Sequence, residues 1–140
     1  MLFDNDFNFL NILNIDNNIN KEDSLEDPTI GFVKGNMMKN LYTPYKDYKP
    51  KIPKTTCEKS ALLYKIMELN FVINDLNLWL DLNKNDKYLF DKFKMYTKKL
   101  AEYENEYVNK YGPIELSENL LSENMWLGNY PWEGDDSIYV

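Results

Sequence analysis

The stretch LLYKIMELNFVINDLNLWLDL, residues 62–82, decides the fold. Its main apolar residues alternate at spacings of four and three, the heptad pattern of a helix that packs along another helix. This seam consists of Leu62, Ile66, Leu69, Ile73, Leu76 and Leu80. A second row widens the apolar face beyond what one partner helix can cover. That row is Leu63, Met67, Phe71 and Leu78, with Trp79 nearby.

A second long helix is predicted after a short polar turn. The apolar pattern breaks at Asn83-Lys84-Asn85, where Asn85 is expected to cap the next helix. The second seam consists of Leu89, Phe93, Tyr96, Leu100, Tyr103 and Tyr107. It should stop at Tyr111-Gly112-Pro113, because glycine can take the left-handed conformation and proline cannot continue the helix.

The short turn predicts that the two helices lie side by side and antiparallel. Thr55 with Glu58 fits a capping box at the start of the first helix. The predicted fold class is therefore all-α, an antiparallel two-helix hairpin of coiled-coil type. An irregular N-terminal segment precedes it, and an aromatic C-terminal tail follows it. The outer face of the first helix needs a cover from the tail, from the segment before Thr55, or from another chain.

The regions that flank the hairpin differ in composition. Residues 1–30 are acidic and rich in Asn, so we expect them to be disordered. Residues 31–54 are rich in Pro, Tyr and Lys, and their breakers preclude a long regular element. Tyr42, Tyr45 and Tyr48 recur every three residues there, which suits a polyproline-like run with one aromatic face. Residues 134–140 form the C-terminal end.

The composition restricts the chemistry that the chain can perform. The sequence contains no His and no Arg, and its formal net charge is -7. Ordinary acid and base catalysis would then need a strongly perturbed carboxylate or Lys, so we expect no enzyme and no cofactor. Cys57 is the only cysteine, which excludes an intrachain disulfide and a thiolate zinc site within one chain. The acidic balance argues against nucleic acid as a partner, and charged residues interrupt the most apolar stretch, which argues against a membrane span.

Three motifs together resemble the bacterial spore-coat family CotJB. The first is Leu78-Trp79-Leu80-Asp81, followed by Asn85-Asp86. The second is Tyr111-Gly112-Pro113-Ile114, and the third is Met125-Trp126 with Tyr130-Pro131-Trp132-Glu133. Their order and spacing are similar to that family over residues 61–133, so residues 55–133 are interpreted as a CotJB-like hairpin with its tail. Upstream, the run from Gly31 to Tyr45, with Leu41-Tyr42-Thr43-Pro44-Tyr45, looks like the tail of the companion family CotJA.

The resemblance implies a structural component of the endospore coat, made in the mother-cell cytoplasm. It implies association with coat neighbours, namely a CotJA-like protein and a manganese catalase whose metal chemistry belongs to that neighbour, and it leaves self-association open. The alternative is a cytoplasmic coiled-coil adaptor unrelated to spores. The expected partner-binding residues are Leu69, Phe71, Ile73, Leu76, Trp79, Tyr111, Gly112, Pro113, Trp126, Pro131 and Trp132. Cross-linking in a coat, through Cys57 or through the tyrosines of the second helix, is a further hypothesis.

Overall fold

The computed structural model describes residues 24–41 and 43–115. Its regular elements, in chain order, are helix α1 (Pro28–Lys34), a 3-10 turn (Lys39–Leu41), helix α2 (Glu58–Leu82) and helix α3 (Lys87–Tyr111). Within these two ranges the only β-type pairing is an isolated antiparallel bridge between Leu25 and Met38. The predicted all-α fold class with a helical hairpin is confirmed.

Helix α2 begins two residues later than the predicted capping box. The N-cap is Cys57, whose Sγ accepts a hydrogen bond from the Ser60 backbone N–H at 3.4 Å. In return, the Ser60 hydroxyl accepts from the Cys57 backbone N–H at 3.2 Å. The prediction of Thr55 with Glu58 was wrong because Cys57 and Ser60 complete the same reciprocal pattern. Glu58 is left in the first turn, where it pairs with Lys110 across the hairpin.

The turn between the long helices runs from Asn83 to Asp86. The backbone N–H of Asn83 still bonds the carbonyl of Trp79 at 2.9 Å, and then the chain leaves the helix. The N-cap of α3 is Asp86, whose carboxylate accepts from the Leu89 backbone N–H at 3.2 Å. The predicted cap, Asn85, was one residue too early; both residue types cap well, and the turn geometry decides between them.

Helix α3 ends where the sequence predicted. The backbone N–H of Gly112 bonds the Val108 carbonyl at 3.1 Å, and Pro113 follows. Gly112 has φ 103° and ψ 177°, which differs from the expected left-handed helical conformation. This region of φ and ψ is almost exclusive to glycine, so the stop at Gly112 still depends on the missing side chain.

Two apolar clusters hold α2 and α3 together and show that they are antiparallel. One cluster joins Leu76 near the end of α2 to Leu89 near the start of α3. The other joins Leu62 near the start of α2 to Tyr107 near the end of α3. We call the first end of the hairpin the turn end and the second the open end. With 25 residues each, the helices are about 38 Å long.

Residues 24–41, which we call the strap, fold back along α2. Asp27 caps α1 by accepting from the Thr29 backbone N–H at 3.1 Å, and Gly35 ends the helix in the left-handed conformation at φ 75°. The backbone N–H of Gly35 donates to the Phe32 carbonyl, and that of Asn36 donates to the Gly31 carbonyl. These two bonds complete a Schellman motif. Helix α1 has seven residues, and it spans the boundary placed at residue 30.

Residues 43–57 are irregular and mostly exposed. Their Tyr45–Tyr48 portion is a tight turn, closed by a 3.0 Å hydrogen bond from the Tyr48 N–H to the Tyr45 carbonyl. Lys46 and Asp47 have φ angles of 45° and 58°. The polyproline-like prediction is therefore wrong at this point, because two consecutive left-handed residues reverse the chain. Tyr42, the first residue of the predicted aromatic face, lies outside the described residues.

Candidate functional site

The residues predicted to bind partners on α2 lie mostly inside the hairpin. Leu69 and Leu76 are buried, and Phe71, Ile73 and Trp79 are half-buried against the same cluster. The indole N–H of Trp79 is buried with no acceptor among the described residues. A partner could reach these side chains only in part, so their main contribution is to hold α2, α3 and the strap together.

Only some of the partner-binding residues predicted after α3 belong to the described part of the chain, which ends at residue 115. At the open end, the Tyr111 ring lies 5.2 Å from the Tyr107 ring, and Gly112 and Pro113 are half-buried. Ile114 packs against the cluster at the same end. Trp126, Pro131 and Trp132 lie outside the described residues.

A strip of apolar residues lies on the outer side of α2, the face that the sequence predicted to need a cover. We call it the outer strip. It consists of Tyr64, Phe71, Leu78 and Leu82, which share one side of the helix because they recur at intervals of seven and four. Leu78 was placed in the second apolar row, but that row alone could not show which of its members the chain would cover.

The strap covers only the first half of the outer strip. The Phe32 ring lies 5.4 Å from the Tyr64 ring and 5.6 Å from the Phe71 ring. Further along, the Met37 backbone N–H donates to Asp75 Oδ2 at 2.8 Å. Beyond this anchor, Leu78 and Leu82 remain 56% and 63% exposed. Two large aliphatic side chains therefore face solvent directly next to a covered part of the same strip.

A polar cluster is buried under the strap. Glu68 is only 9% exposed. Burial is the largest effect and raises the pKa of its carboxyl above the ordinary value, and the Asp27 carboxylate raises this pKa further. A hydrogen bond with the Thr29 side chain and the charge of Lys65 partly offset the rise. Burial also raises the pKa of the Tyr96 phenol on α3, with Asp27 adding to the shift. The strap, α2 and α3 thus meet at groups whose charged forms are disfavoured.

Charge is unevenly distributed along α3. Residues 84–99 contain six lysines against two aspartates, whereas Glu102, Glu104 and Glu106 follow in the second half of the helix. Near the turn end, the Lys94 ammonium lies 5.2 Å from the centre of the Phe90 ring, which is itself 49% exposed. This half of α3 is a basic surface with an aromatic component.

An ion pair network joins the two helices at the open end. Lys110 donates to Glu58 at 2.7 Å and to Glu106 at 2.8 Å. Hydrogen bonding and the charge of Lys110 lower the pKa of Glu58, and the two carboxylates raise the pKa of Lys110. All three side chains are exposed, so the network orients the helix ends and adds little stability.

Two kinds of feature are absent from the described ranges. Among residues 24–41 and 43–115, no group of three or more His, Cys, Asp or Glu residues could hold a metal ion. None of the helices in these ranges is long and apolar enough to cross a membrane.

Comparison with known proteins gives a family. A family model described as CotJB protein matches residues 60–133, which is more than half of the chain. Neither the comparison with curated proteins nor that with solved structures finds a match. The matched range begins in the first turn of α2, contains all of α3 and continues past the described residues. The matched range thus contains nearly all of the helical hairpin and the motifs at residues 78–86 and 111–114. The chain belongs to the CotJB family, whose members have a role in the bacterial spore coat.

Proposed function

We propose that the chain is a structural component of the endospore coat that acts by binding neighbouring coat proteins. Family membership supports the spore-coat setting. The single observation that supports binding is the uncovered half of the outer strip, Leu78 and Leu82, on a hairpin whose seams are otherwise packed. Fully burying one such leucine contributes about 1.5–3 kcal/mol, so an apolar partner surface would gain from this contact.

The proposed neighbours are a manganese catalase of the coat and a CotJA-like protein, with synthesis in the mother cell. Within the chain, the run from Gly31 to Tyr45 is proposed to be a CotJA-like segment joined to the hairpin. Part of that run is the second half of the strap, which lies on α2 through Phe32 and Met37. Trp126, Pro131 and Trp132 remain proposed contacts in the tail, and Trp79, which is half-buried against the core cluster, remains a proposed contact on α2.

The test is binding of the purified chain to the manganese catalase of the same spore coat. We expect the double variant Leu78→Asp with Leu82→Asp to bind the catalase at least tenfold more weakly, because two apolar contacts are replaced by charges. A tenfold loss of affinity corresponds to only about 1.4 kcal/mol. The matched control is Asn74→Asp with Asn77→Asp, which adds the same charge at two exposed positions of α2 and should change the affinity less than twofold. Dissociation constants from biolayer interferometry and circular dichroism of each variant provide the measurement.

Two results would contradict the proposal in different ways. If wild type does not bind the catalase, that neighbour is not the partner. If both double variants bind as wild type does, the outer strip is not the contact surface, and the tail becomes the remaining proposed surface.

A further inference from the structure

The strap is seated on α2 in the manner of a bound peptide. Its inward side chains are almost completely buried, with Leu25 at 8%, Met37 at 0% and Met38 at 5% exposure. Phe32 inserts between the Tyr64 and Phe71 rings. The groove that receives it is formed on α2 by Tyr64, Glu68, Phe71 and Asp75, with an apolar floor and a carboxylate that accepts the Met37 backbone N–H.

The strap also closes on itself through its own hydrogen bonds. The Glu26 backbone N–H donates to the Met37 carbonyl at 2.8 Å, and Lys34 pairs with the Glu26 carboxylate. Gly31 lies so near the Met37 sulfur that a Cβ at that position would overlap it. A segment with its own shape loses less conformational entropy on binding than an unstructured one. The strap therefore has the properties of a preorganised ligand.

The connection to α2 does not fix the strap in its own groove. Met37 is anchored at Asp75, and the N-cap of α2 is Cys57, which precedes Asp75 by 18 residues, or about 27 Å along the helix. The 20 residue steps from Met37 to Cys57 could extend to about 66 Å, more than twice this distance. Residues 43–52 are almost all exposed along this path. The connection is thus long enough to reach a groove on another molecule.

We propose that the strap of one copy also occupies the groove of a second copy, so that neighbouring chains become linked by exchanged straps. In dilute solution the tether favours the strap's own groove, because a short flexible linker gives millimolar effective concentration. Exchange becomes favourable where the concentration of neighbouring copies is itself millimolar, as in a packed layer. The partner is a second copy of the chain. This exchange rests on the proposed function only in that both act by association, and neither Leu78 nor Leu82 takes part in it.

A shortened connection tests the exchange in the full chain. Deletion of residues 42–54 leaves seven residue steps from Met37 to Cys57, about 23–25 Å, which is too short to span about 27 Å. We expect this variant to have at least twice the mass of one shortened chain in light scattering at low micromolar concentration, while wild type has the 16.7 kDa mass of one full chain. The matched control replaces the same 13 residues by an equally long Gly/Ser sequence and should return to one chain.

A second variant shows whether the strap causes the association. Met37→Asp places a charge in a fully buried position beside Asp75, so the strap should leave the groove. Added to the deletion, this substitution should return the mass to that of one chain. A deletion variant that keeps the mass of one chain, or that associates equally well with Met37→Asp, would overturn the proposal.

A peptide measurement decides the matter if the deletion variant does not fold. A fluorescent peptide of residues 24–41 is titrated into the full-length Met37→Asp chain, whose groove is unchanged. We expect binding at least tenfold tighter than to wild type, whose own strap competes, and none for a peptide that itself carries Met37→Asp. Absence of binding to the Met37→Asp chain would overturn the exchange and leave the proposed coat contact at Leu78 and Leu82 intact.

Discussion

The Glu68 carboxyl is desolvated beneath the strap, so at this residue the charged form opposes folding. Burial is the main reason that its pKa lies above the ordinary value of 4.5. A raised carboxyl pKa contributes stability that is fully present below the pKa of the unfolded chain and is lost as the pH rises through the pKa of the folded chain. The contact between the strap and the hairpin should accordingly tighten as the solution becomes mildly acidic.

Glu68→Gln tests this pH dependence. Glutamine keeps the shape and can still hydrogen-bond Thr29, but it never carries the charge. We expect the variant to be more stable than wild type by about 1 kcal/mol near pH 7, with the difference vanishing below about pH 4. Urea unfolding at a series of pH values provides the measurement, and Asn70→Asp, at an exposed position on α2, is a control for a general charge effect. A difference that is equal at pH 4 and pH 7 would contradict this account.

Helix α2 starts on a thiol, which is an unusual acceptor for the first turn. Cys57 Sγ accepts from the Ser60 N–H at 3.4 Å, and the capping box is complete. The cap has the geometry of a serine cap, but its acceptor is a sulfur atom, which accepts hydrogen bonds more weakly than a hydroxyl oxygen does.

Substitution of Cys57 should separate the cap from the thiol. We expect Cys57→Ser to be neutral or to stabilise the chain by a few tenths of a kcal/mol, and Cys57→Ala to destabilise it by about 0.5–1 kcal/mol. Thermal unfolding of both variants in reducing buffer measures the difference, and Thr55→Ala, at the position first predicted as the cap, should have no effect. Equal stability of the serine and alanine variants would show that the cap contributes nothing.

The elements were predictable to the extent that they have a repeating pattern. The apolar seams that include Leu69 and Tyr96 predicted both long helices, because a seven-residue repeat can be read from the sequence alone. The cap residues could not be identified from the sequence in the same way, because neighbouring residues such as Asn85 and Asp86 can both serve as the N-cap. Helix α1 was missed because Gly31 and Gly35 were interpreted as breakers, although Asp27-Pro28 before it and Gly35 after it are typical start and stop signals.

For the whole molecule, the sequence indicated that α2 needs a cover but could not identify it. The strap supplies that cover over Tyr64 and Phe71, through contacts between residues that are more than 30 positions apart. No local pattern encodes such pairing, and so the exposed end of the outer strip at Leu78 and Leu82 could not be located either. Among the residues expected to bind partners, Leu69 and Leu76 accordingly lie in the core.

Limited trypsin digestion should reveal the strap as a separately held part of the molecule. Lys51 and Lys54 are exposed in the connection, so the first cuts are expected there rather than at the half-buried Lys34. After cutting, the fragment that carries the strap should elute with the hairpin in native size-exclusion chromatography and separate from it in urea. In the Met37→Asp variant the two fragments should separate without urea. Native separation of the wild-type fragments would mean that only the covalent connection retains the strap.

The start of the strap and the residues after α3 pack against different clusters of the hairpin. Leu25 belongs to the cluster that contains Leu76 and Leu89, whereas Ile114 packs against the cluster that contains Leu62 and Tyr107. The two attachments therefore depend on separate sets of buried side chains, so that the start of the strap can be released from its cluster while Ile114 keeps its own packing.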